Sequence, residues 1–188
     1  MNTPSVDSSF AALLATQLTL GLPVELVALT PTDVPQMAQL ESLAHSHPMS
    51  EGNLADCFGH LYRVLGLKLS AGSDANTDAA SDPDSVDGLL GFAIVQQIVD
   101  EVTLLDICLL PSQQGKGYGK LLLNAVVASA KASAAVVLML EVRESNLAAR
   151  ALYQKAGFIE SGRRKGYYPI AGGKEDAILM DLAITQVS

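Results

Sequence analysis

The sequence predicts a single mixed α/β domain in which a central sheet of about seven strands carries helices on both faces. The chain has 188 residues, which is enough for one sizeable core but not for two. Apolar residues make up 49% of it and aromatic residues only 5%, so the core is expected to consist of Leu, Val, Ile and Ala. Segments with the two-residue period of strands alternate with segments of helical period, a pattern typical of a sheet covered by helices.

The first part of the chain is predicted to form two strands and two helices. Residues 1–22 are an N-terminal extension with no recognisable chemistry, so the domain is expected to span residues 23–188. Thr30 and Asp33 supply capping and turn residues ahead of the first helix. The predicted elements are a strand at residues 24–29, a helix at 34–44, a short helix at 50–59 and a strand at 61–69.

Residues 70–87 interrupt this pattern with an acidic segment. They contain five Asp, no basic residue and almost no large apolar side chain. Such a segment cannot bury enough apolar area to offset the entropy lost on ordering. We therefore predict a flexible acidic insertion within a hairpin.

The second part of the chain is predicted to complete the sheet. Strand character resumes at residues 89–99, and a tight turn at Asp100 and Glu101 leads into a strand at 102–110, so these two strands should form an antiparallel hairpin. The remaining elements are a helix at 117–132, a buried strand at 136–142, a helix from Ser145 or Asn146 to Lys155 that Gly157 terminates, and strands at 158–161 and 177–182.

The charges are unevenly distributed along the chain. The net charge is −8 at pH 7, yet the region from Leu104 to Lys174 contains ten basic residues and four acidic ones. A local positive field in an acidic protein suits a small polyanionic ligand, whereas nucleic-acid binding needs a broadly basic surface. The acidic remainder of the chain could attract a basic partner.

The cysteine content and the N-terminal region indicate a soluble protein of the cytoplasm. Two cysteines cannot form a disulfide framework, and free thiols are typical of a reducing compartment. The apolar stretch at residues 10–29 is interrupted by polar residues, glycine and proline, and no Lys or Arg precedes Arg63. Neither a membrane span nor a secretory signal is therefore predicted.

A glycine-rich segment between a predicted strand and the helix at 117–132 is the strongest local motif. Its residues are Gln114, Gly115, Lys116, Gly117, Tyr118 and Gly119. Three glycines allow consecutive N–H groups to point into one concavity, where the helix N-terminus adds partial positive charge. The segment lacks the features of a Walker loop and of a Rossmann loop. It therefore predicts a different pyrophosphate cradle, with a plain glycine turn as the alternative.

This segment matches the Gln/Arg-x-x-Gly-x-Gly/Ala pattern with which the GNAT N-acetyltransferases hold the pyrophosphate of acetyl-CoA. Further matches follow at Leu140, Glu141, Val142 and Arg143, at Asn146, at Ala151, Leu152 and Tyr153, at Gly157 and Phe158, at Tyr167, Tyr168 and Pro169, and at Glu175, Asp176 and Ala177. This ordered set resembles the RimI family, which acetylates the N-terminal alanine of a small-subunit ribosomal protein. The resemblance covers residues 24–182 and implies a GNAT fold. Met49 stands where the family places Trp after Pro48.

Two residues suit the chemistry of acetyl transfer to an amine. An α-amino group with a pKa of about 8 is already partly neutral near pH 7, so a modest base suffices to deprotonate it. Glu141, at the end of a predicted strand, can accept that proton. Tyr153, on the following helix, can protonate the departing thiolate, and both match the family's base and acid. The alternatives are a surface charge for Glu141 and an ordinary helix aromatic for Tyr153.

The resemblance also implies which residues bind acetyl-CoA, the expected co-substrate. It assigns main-chain hydrogen bonds with the pantetheine arm to the strand around Cys108, and the pyrophosphate to the glycine-rich segment. The implied cofactor-binding residues are Ile107, Cys108, Leu109, Gln114, Gly115, Lys116, Gly117, Tyr118, Gly119, Lys120 and Asn146. Asn146 could also cap a helix. A covalent acetyl-cysteine at Cys108 is a second route, but no His near it in sequence could serve as its base.

No metal is expected, and the expected partner is the N-terminus of a basic ribosomal protein. His45, His47, Cys57 and His60 fit no standard zinc spacing. Two other functions stay open: a GNAT enzyme acting on another peptide or a small amine, and a non-catalytic CoA-binding module. The presence of Glu141 and Tyr153 favours an enzyme.

Overall fold

Seven strands form one mixed sheet in the computed structural model, which describes residues 24–70, 86 and 88–185. The strands are β1 Val24–Ala28, β2 Tyr62–Leu69, β3 Leu89–Ile98, β4 Glu101–Leu109, β5 Val137–Arg143, β6 Ile159–Ile170 and β7 Gly173–Ala183. Their order in the sheet is β1-β2-β3-β4-β5-β7-β6. Neighbours are antiparallel except β4 and β5, which are parallel. The predicted mixed sheet is confirmed.

Helices cover both faces of this sheet. They are α1 Val34–Ala44, α2 Glu51–Asp56, α3 Tyr118–Ala132 and α4 Leu147–Lys155. Arg63 in β2 donates to Ser129 of α3 at 2.9 Å, whereas Lys68 in the same strand forms an ion pair at 2.7 Å with Asp33, just before α1. Because successive side chains of a strand point to opposite faces, these contacts place α1 and α3 on opposite sides of the sheet.

Local capping explains where the helices begin. The Thr30 N–H donates to Asp33 Oδ2 at 2.8 Å across the turn that precedes α1. Asn146 caps α4, because its side-chain oxygen accepts from the Ala149 N–H at 3.1 Å. Of the two predicted caps, the structure uses Asn146, and Gly157 follows the helix with a φ of +98°. The second helix is shorter than predicted, since it ends at Asp56.

The turn between β3 and β4 lies one residue earlier than predicted. Ile98 pairs with Glu101, so the turn consists of Val99 and Asp100, and β4 begins at Glu101. Val99 adopts a φ of +57°, and its carbonyl accepts from Gln97 Nε2 at 2.9 Å. The Asp100 carbonyl accepts from the Val136 N–H at 2.8 Å, next to β5. Contacts with distant segments, rather than the acidic residues, therefore set the position of this turn.

The last two strands are much longer than the predicted strands at 158–161 and 177–182. They form a hairpin that turns at Gly172, where φ is +86°. Most side chains of β6 are exposed, so it lacks the apolar alternation on which a strand prediction depends. Its pairing with β7 also shifts register twice. One irregularity is held by the Gly166 N–H, which donates to Asp176 Oδ1 at 2.9 Å.

A cleft opens where β4 and β5 separate. These strands pair only from Glu101 with Val137 to Leu104 with Leu140, and no pairing follows along their described remainder. The pairing of β4 with β3 skips Leu105, which indicates a bulge at the same level. A bulge bends its strand, so the C-terminal half of β4 leaves its neighbour there.

Two predicted features lie outside the described residues, namely the extension at 1–22 and most of the insertion at 70–87. Val86 is described, and it is 2% exposed and bridges to Leu89. This end of the insertion therefore packs into the core, contrary to the predicted flexibility. In the part of the chain that the structure describes, we find no helix with the length and apolar character needed to cross a membrane.

Candidate active site

The cleft between β4 and β5 contains a pocket of about 290 Å³. It is lined by Glu41, His45, His47, Met49, Leu104, Leu105, Asp106, Ile107, Leu140, Glu141, Val142, Arg143, Asn146, Tyr153 and Tyr168. The pocket begins where the last parallel pair, Leu104 with Leu140, ends. The structure thus brings Glu141 and Tyr153, which were selected from the sequence, together with residues of α1, the segment after it and β6.

Glu141 is the first residue of β5 beyond the pairing with β4. Its main chain pairs with Leu179 of β7, which leaves the edge on the side of β4 open. The carboxylate lies 3.0 Å from Arg164 Nη1 on β6, and the two side chains are 29% and 50% exposed. Glu141 is therefore a partly solvated carboxylate at the mouth of the cleft, held by an exposed guanidinium.

Tyr153 of α4 provides a phenol in the same pocket. The side chain is 5% exposed, and its ring packs against Phe158 with a centroid distance of 5.8 Å. Burial, together with Asp106 and Tyr168, raises the pKa of Tyr153 well above its ordinary value. Among the described residues, none forms a hydrogen bond with its hydroxyl. The phenol thus keeps its proton and has it available for a ligand.

An ordered cluster of side chains forms the wall next to Glu141. Arg143 Nη1 lies 2.8 Å from Glu175 Oε1, and its guanidinium lies 4.3 Å from the centroid of the Tyr168 ring. Glu175 Oε2 accepts from the Ser145 N–H at 3.1 Å. The hydrogen bonds from Arg143 and Ser145 lower the pKa of Glu175. Tyr168 and Glu175, which had no assigned role in the sequence, therefore hold Arg143 in place.

The glycine-rich segment lies at the N-terminus of α3. Gly115 and Gly117 have φ values of +76° and +91°, which glycine adopts without strain. A Cβ at either position would meet no described atom within 4 Å. The first hydrogen bond of α3 runs from the Leu121 N–H to the Gly117 carbonyl at 3.1 Å, so earlier N–H groups have no partner within the helix. Open space thus lies next to main-chain N–H groups that have no partner within the helix, as an anion cradle requires.

The other residues of this segment anchor it or supply charge. Gly119 allows close packing, since a Cβ there would lie 3.3 Å from Leu109 Cδ1. Gln114 Nε2 donates to the Leu109 carbonyl at 3.4 Å, which ties the segment to β4. Tyr118 is buried, whereas Lys116 and Lys120 are exposed and add positive charge beside the cradle.

The C-terminal half of β4 connects the cradle with the pocket. Cys108 pairs with Phe92, and the Leu110 N–H donates to the Leu90 carbonyl at 2.9 Å. Main-chain groups of successive residues alternate between the two edges of a strand. Those of Cys108 therefore face β3, whereas those of Ile107 and Leu109 face the open cleft.

Two carboxyl groups in the pocket were not selected from the sequence. Glu41 is 2% exposed, and Asp106 is half-buried with its Oδ2 atom enclosed. Glu41 shares the apolar face of α1 with Met37 and Leu40, and Asp106 interrupts the apolar residues of the second half of β4. An acidic residue at a position where periodicity predicts burial was the available signal.

Of the four potential metal ligands named from the sequence, His45 alone belongs to a close group of ligand atoms among the described residues. Among the described residues, Glu41, His45 and Cys108 have ligand atoms within 4.8 Å of one another, whereas Cys57 and His60 belong to no such group. Both cysteines are free and buried. Burial raises the pKa of Cys108 far above its ordinary value, and Glu41 and Asp106 add to the shift.

Comparisons with known proteins agree with this geometry. The acetyltransferase (GNAT) family matches residues 69–158. The [ribosomal protein bS18]-alanine N-acetyltransferase of Salmonella typhimurium is 40% identical over 157 residues, which cover 84% of this chain and 95% of the relative. The enzyme of the same name from Haemophilus influenzae is 41% identical over 149 residues, or 79% of this chain and 90% of the relative.

Solved structures show the same fold. The crystal structure of the ribosomal-protein-S18-alanine N-acetyltransferase from Escherichia coli has a TM-score of 0.75 and 34% identity, covering 88% of this chain and 96% of that one. The structure of Ard1 from Thermoplasma volcanium has a TM-score of 0.70 at 16% identity, and the match covers 88% of this chain and 100% of that one. At this identity it shows a shared fold alone. With its relatives matched over most of their length, the chain belongs to the RimI family of GNAT N-acetyltransferases.

Proposed function

We propose that this protein acetylates the N-terminal alanine of ribosomal protein bS18, by direct attack of the α-amino group on the thioester of acetyl-CoA. One observation carries the proposal: Glu141 and Tyr153 line the same pocket, at the point where β4 and β5 separate. The names of the relatives in Salmonella typhimurium and Haemophilus influenzae support the substrate.

Acetyl-CoA is proposed to lie along the glycine-rich segment and the cleft edge of β4. Open space faces Gly115 and Gly117, so the N–H groups there and at the start of α3 would hold the pyrophosphate, with Lys116 and Lys120 nearby. The cleft edge of β4 at Ile107 and Leu109 would bond the pantetheine arm. Small Cys108 would lie beneath it, and Gln114, Tyr118 and Gly119 would shape the cradle. Asn146 lines the pocket while it caps α4, so both roles coexist. When bound, acetyl-CoA supplies the activated acetyl group.

The two proton transfers are assigned to Glu141 and Tyr153. Glu141 accepts the proton that the attacking amine loses as its nitrogen forms the amide bond, directly or through water. Tyr153 gives its proton to the sulfur as the carbon–sulfur bond breaks. The raised pKa of Tyr153 keeps that proton available at neutral pH. Each such transfer is typically worth about a hundred- to ten-thousand-fold in rate.

Direct attack is favoured over an acetyl-cysteine intermediate at Cys108. A cysteine must ionise to act as a nucleophile, and burial strongly raises the pKa of this thiol. Its side chain is also 1% exposed. The buried and neutral thiol suits a packing role.

The proposed partner is the N-terminus of a basic ribosomal protein, with no role for nucleic acid or a membrane. The net charge of −8 supports this choice, because an acidic enzyme attracts a basic substrate by long-range electrostatics. The proposed compartment is the cytoplasm, where ribosomal proteins are made and where free cysteines are stable.

Mass spectrometry of reaction products tests the proposed substrate. The enzyme is incubated with acetyl-CoA and a peptide carrying the N-terminal sequence of bS18, with the same peptide blocked at its amine, or with spermidine. We expect one added acetyl group on the free peptide and none on the blocked peptide. Faster acetylation of spermidine would indicate a small-amine acetyltransferase. Binding of acetyl-CoA without any product would indicate a non-catalytic module.

Replacing Gly117 with Val should raise the Kd for acetyl-CoA about tenfold or more, equivalent to about 1.4 kcal/mol. The new side chain would occupy the open space in front of the cradle and would strain a φ of +91°. Gly172→Val is the matched control, since Gly172 has a similar φ of +86°, also faces open space and lies at the far hairpin turn. Calorimetric titration measures both. Unchanged affinity in folded Gly117→Val would remove the cradle from the site.

A further inference from the structure

The pocket contains a pair of carboxyl groups for which the proposed mechanism has no use. Glu41 comes from α1 and Asp106 from β4, and the Glu41 carboxyl is close enough to raise the pKa of Asp106. Both line the pocket that contains Glu141 and Tyr153. Two acidic residues rarely meet inside a protein without a functional reason, because burial of charge is unfavourable.

Two unpartnered oxygens of the pair favour a shared proton. Ionised carboxylates only accept hydrogen bonds, so a bond between two carboxyls requires a proton on one of them. The Met49 N–H donates to Glu41 Oε2 at 2.9 Å. Glu41 Oε1 and Asp106 Oδ2 are buried and receive no hydrogen bond from a donor in the described part of the chain. One shared proton satisfies both oxygens.

The surroundings of Asp106 oppose a second negative charge beside Glu41. Burial, followed by the effect of Glu41, raises the pKa of Asp106 well above its usual range. A second negative charge next to Glu41 in a poorly solvated site is unfavourable, so the surroundings favour the protonated form of Asp106.

Neither arginine near the pocket is available to neutralise the remaining negative charge of the pair. Arg143 is engaged by Glu175 at 2.8 Å, and Arg164 by Glu141 at 3.0 Å. The exposed His45 lies with Nε2 3.5 Å from Glu41 Oε1. The other titratable groups that line the pocket or act on the pair are His47, Cys57, Cys108, Glu141, Tyr153 and Tyr168. A bound cation would compensate the charge.

We propose that Glu41 and Asp106 together form the binding site for the protonated α-amino group of the substrate. This inference rests on the proposed function, which brings a peptide N-terminus into this pocket. The amine arrives mostly as an ammonium ion, because its pKa is about 8. The pair holds it beside Glu141, which then takes the proton.

A single shared charge suits this task better than two. A carboxylate close to an ammonium ion stabilises its protonated form, which opposes the deprotonation that the reaction needs. Two full charges would bind the substrate more tightly but would retain its proton. One charge distributed over the pair binds the ammonium ion and releases the proton to Glu141 more readily.

Amide substitutions test the proposal through peptide binding, measured without acetyl-CoA so that no reaction occurs. The probes are the Ala-starting peptide and a matched peptide with a propionyl group in place of alanine, which lacks the amine. The unmodified enzyme should bind the Ala-starting peptide about tenfold more tightly or better, as expected for a hydrogen-bonded charge. Equal binding of the two peptides overturns the proposal, whatever the variants do.

The variants then assign this preference to the pair. Glu41→Gln and Asp106→Asn each leave one carboxylate and give it an amide donor, so each should retain most of the preference. The double variant has no carboxylate left in the pair and should lose the preference for the Ala-starting peptide, while its affinity for acetyl-CoA stays unchanged. Glu144→Gln, which removes an exposed carboxylate outside the pocket, is the control. A double variant that keeps the preference, or single variants that each abolish it, overturns the proposal.

The test separates this inference from the proposed substrate. A preference for the amine without acetylation of the bS18 peptide would retain the amine site and contradict the proposed function. Acetylation of that peptide with no amine preference in binding would support the proposed function and contradict the amine site.

Discussion

Replacing Tyr153 with Phe is expected to lower kcat about a hundred- to ten-thousand-fold, while the Kd for acetyl-CoA stays unchanged. The substitution removes only the hydroxyl, which forms no hydrogen bond with a described residue, so the fold is retained. The loss falls on kcat because the departing thiolate needs a proton that the bound thioester does not. Stopped assays for product and calorimetric titration of acetyl-CoA measure the two quantities.

Tyr62→Phe is the control for this prediction. The Tyr62 hydroxyl accepts from Gln96 Nε2 at 3.0 Å in the sheet, outside the residues that line the pocket. The Tyr62→Phe variant should therefore keep normal turnover.

Because the pKa of Tyr153 is raised above its ordinary value of 10, the protonation of its phenol should not limit kcat of the unmodified enzyme between about pH 7 and pH 9. Normal turnover in folded Tyr153→Phe contradicts the assignment.

Replacing Glu141 with Gln is expected to reduce turnover of the Ala-starting peptide about a hundredfold or more near pH 7. Glutamine keeps the shape of the side chain but cannot accept the proton from the amine. Activity should partly recover as the pH rises, since the α-amino group has a pKa of about 8 and more of it becomes neutral. A pH profile of kcat/KM for both enzymes measures this effect. A uniform loss at every pH would indicate a structural role instead.

Two variants separate the base from the charges around it. Glu144→Gln removes a carboxylate that pairs with Arg163 at 2.7 Å outside the pocket, and it should leave the pH profile unchanged. Arg164→Gln removes the guanidinium that contacts Glu141 and leaves the carboxylate in place. If Glu141 is the base, Arg164→Gln must keep far more activity than Glu141→Gln. Equal losses would assign the effect to the ion pair.

Prediction from the sequence succeeded where short-range patterns determine the structure. The helix predicted at residues 34–44 is observed at Val34–Ala44, after a turn in which Asp33 accepts from the Thr30 N–H. The helix cap at Asn146 and the positive φ values at Gly115 and Gly117 follow from the chemistry of those residues. Each of these features depends on a few adjacent residues.

The same patterns could not predict the full length of the last hairpin. Arg163, Arg164 and Lys165 are exposed on β6, so no apolar alternation indicates a strand. Pairing with β7 and the hydrogen bond from the Gly166 N–H to Asp176 hold this segment in the sheet. Backbone pairing with a distant partner is independent of side-chain polarity, so the prediction stopped at residue 161.

By itself, the sequence determined the fold class through its periodicity and the family through the resemblance of its ordered motifs, because both can be read along the chain. Only the tertiary structure decided which side chains share a pocket. Glu41 and Asp106 are far apart in the chain and meet because α1 packs against the face of the sheet where β4 leaves β5. Burial and the neighbouring Glu41 raise the pKa of Asp106 there, and no local pattern records which distant residue will be the neighbour.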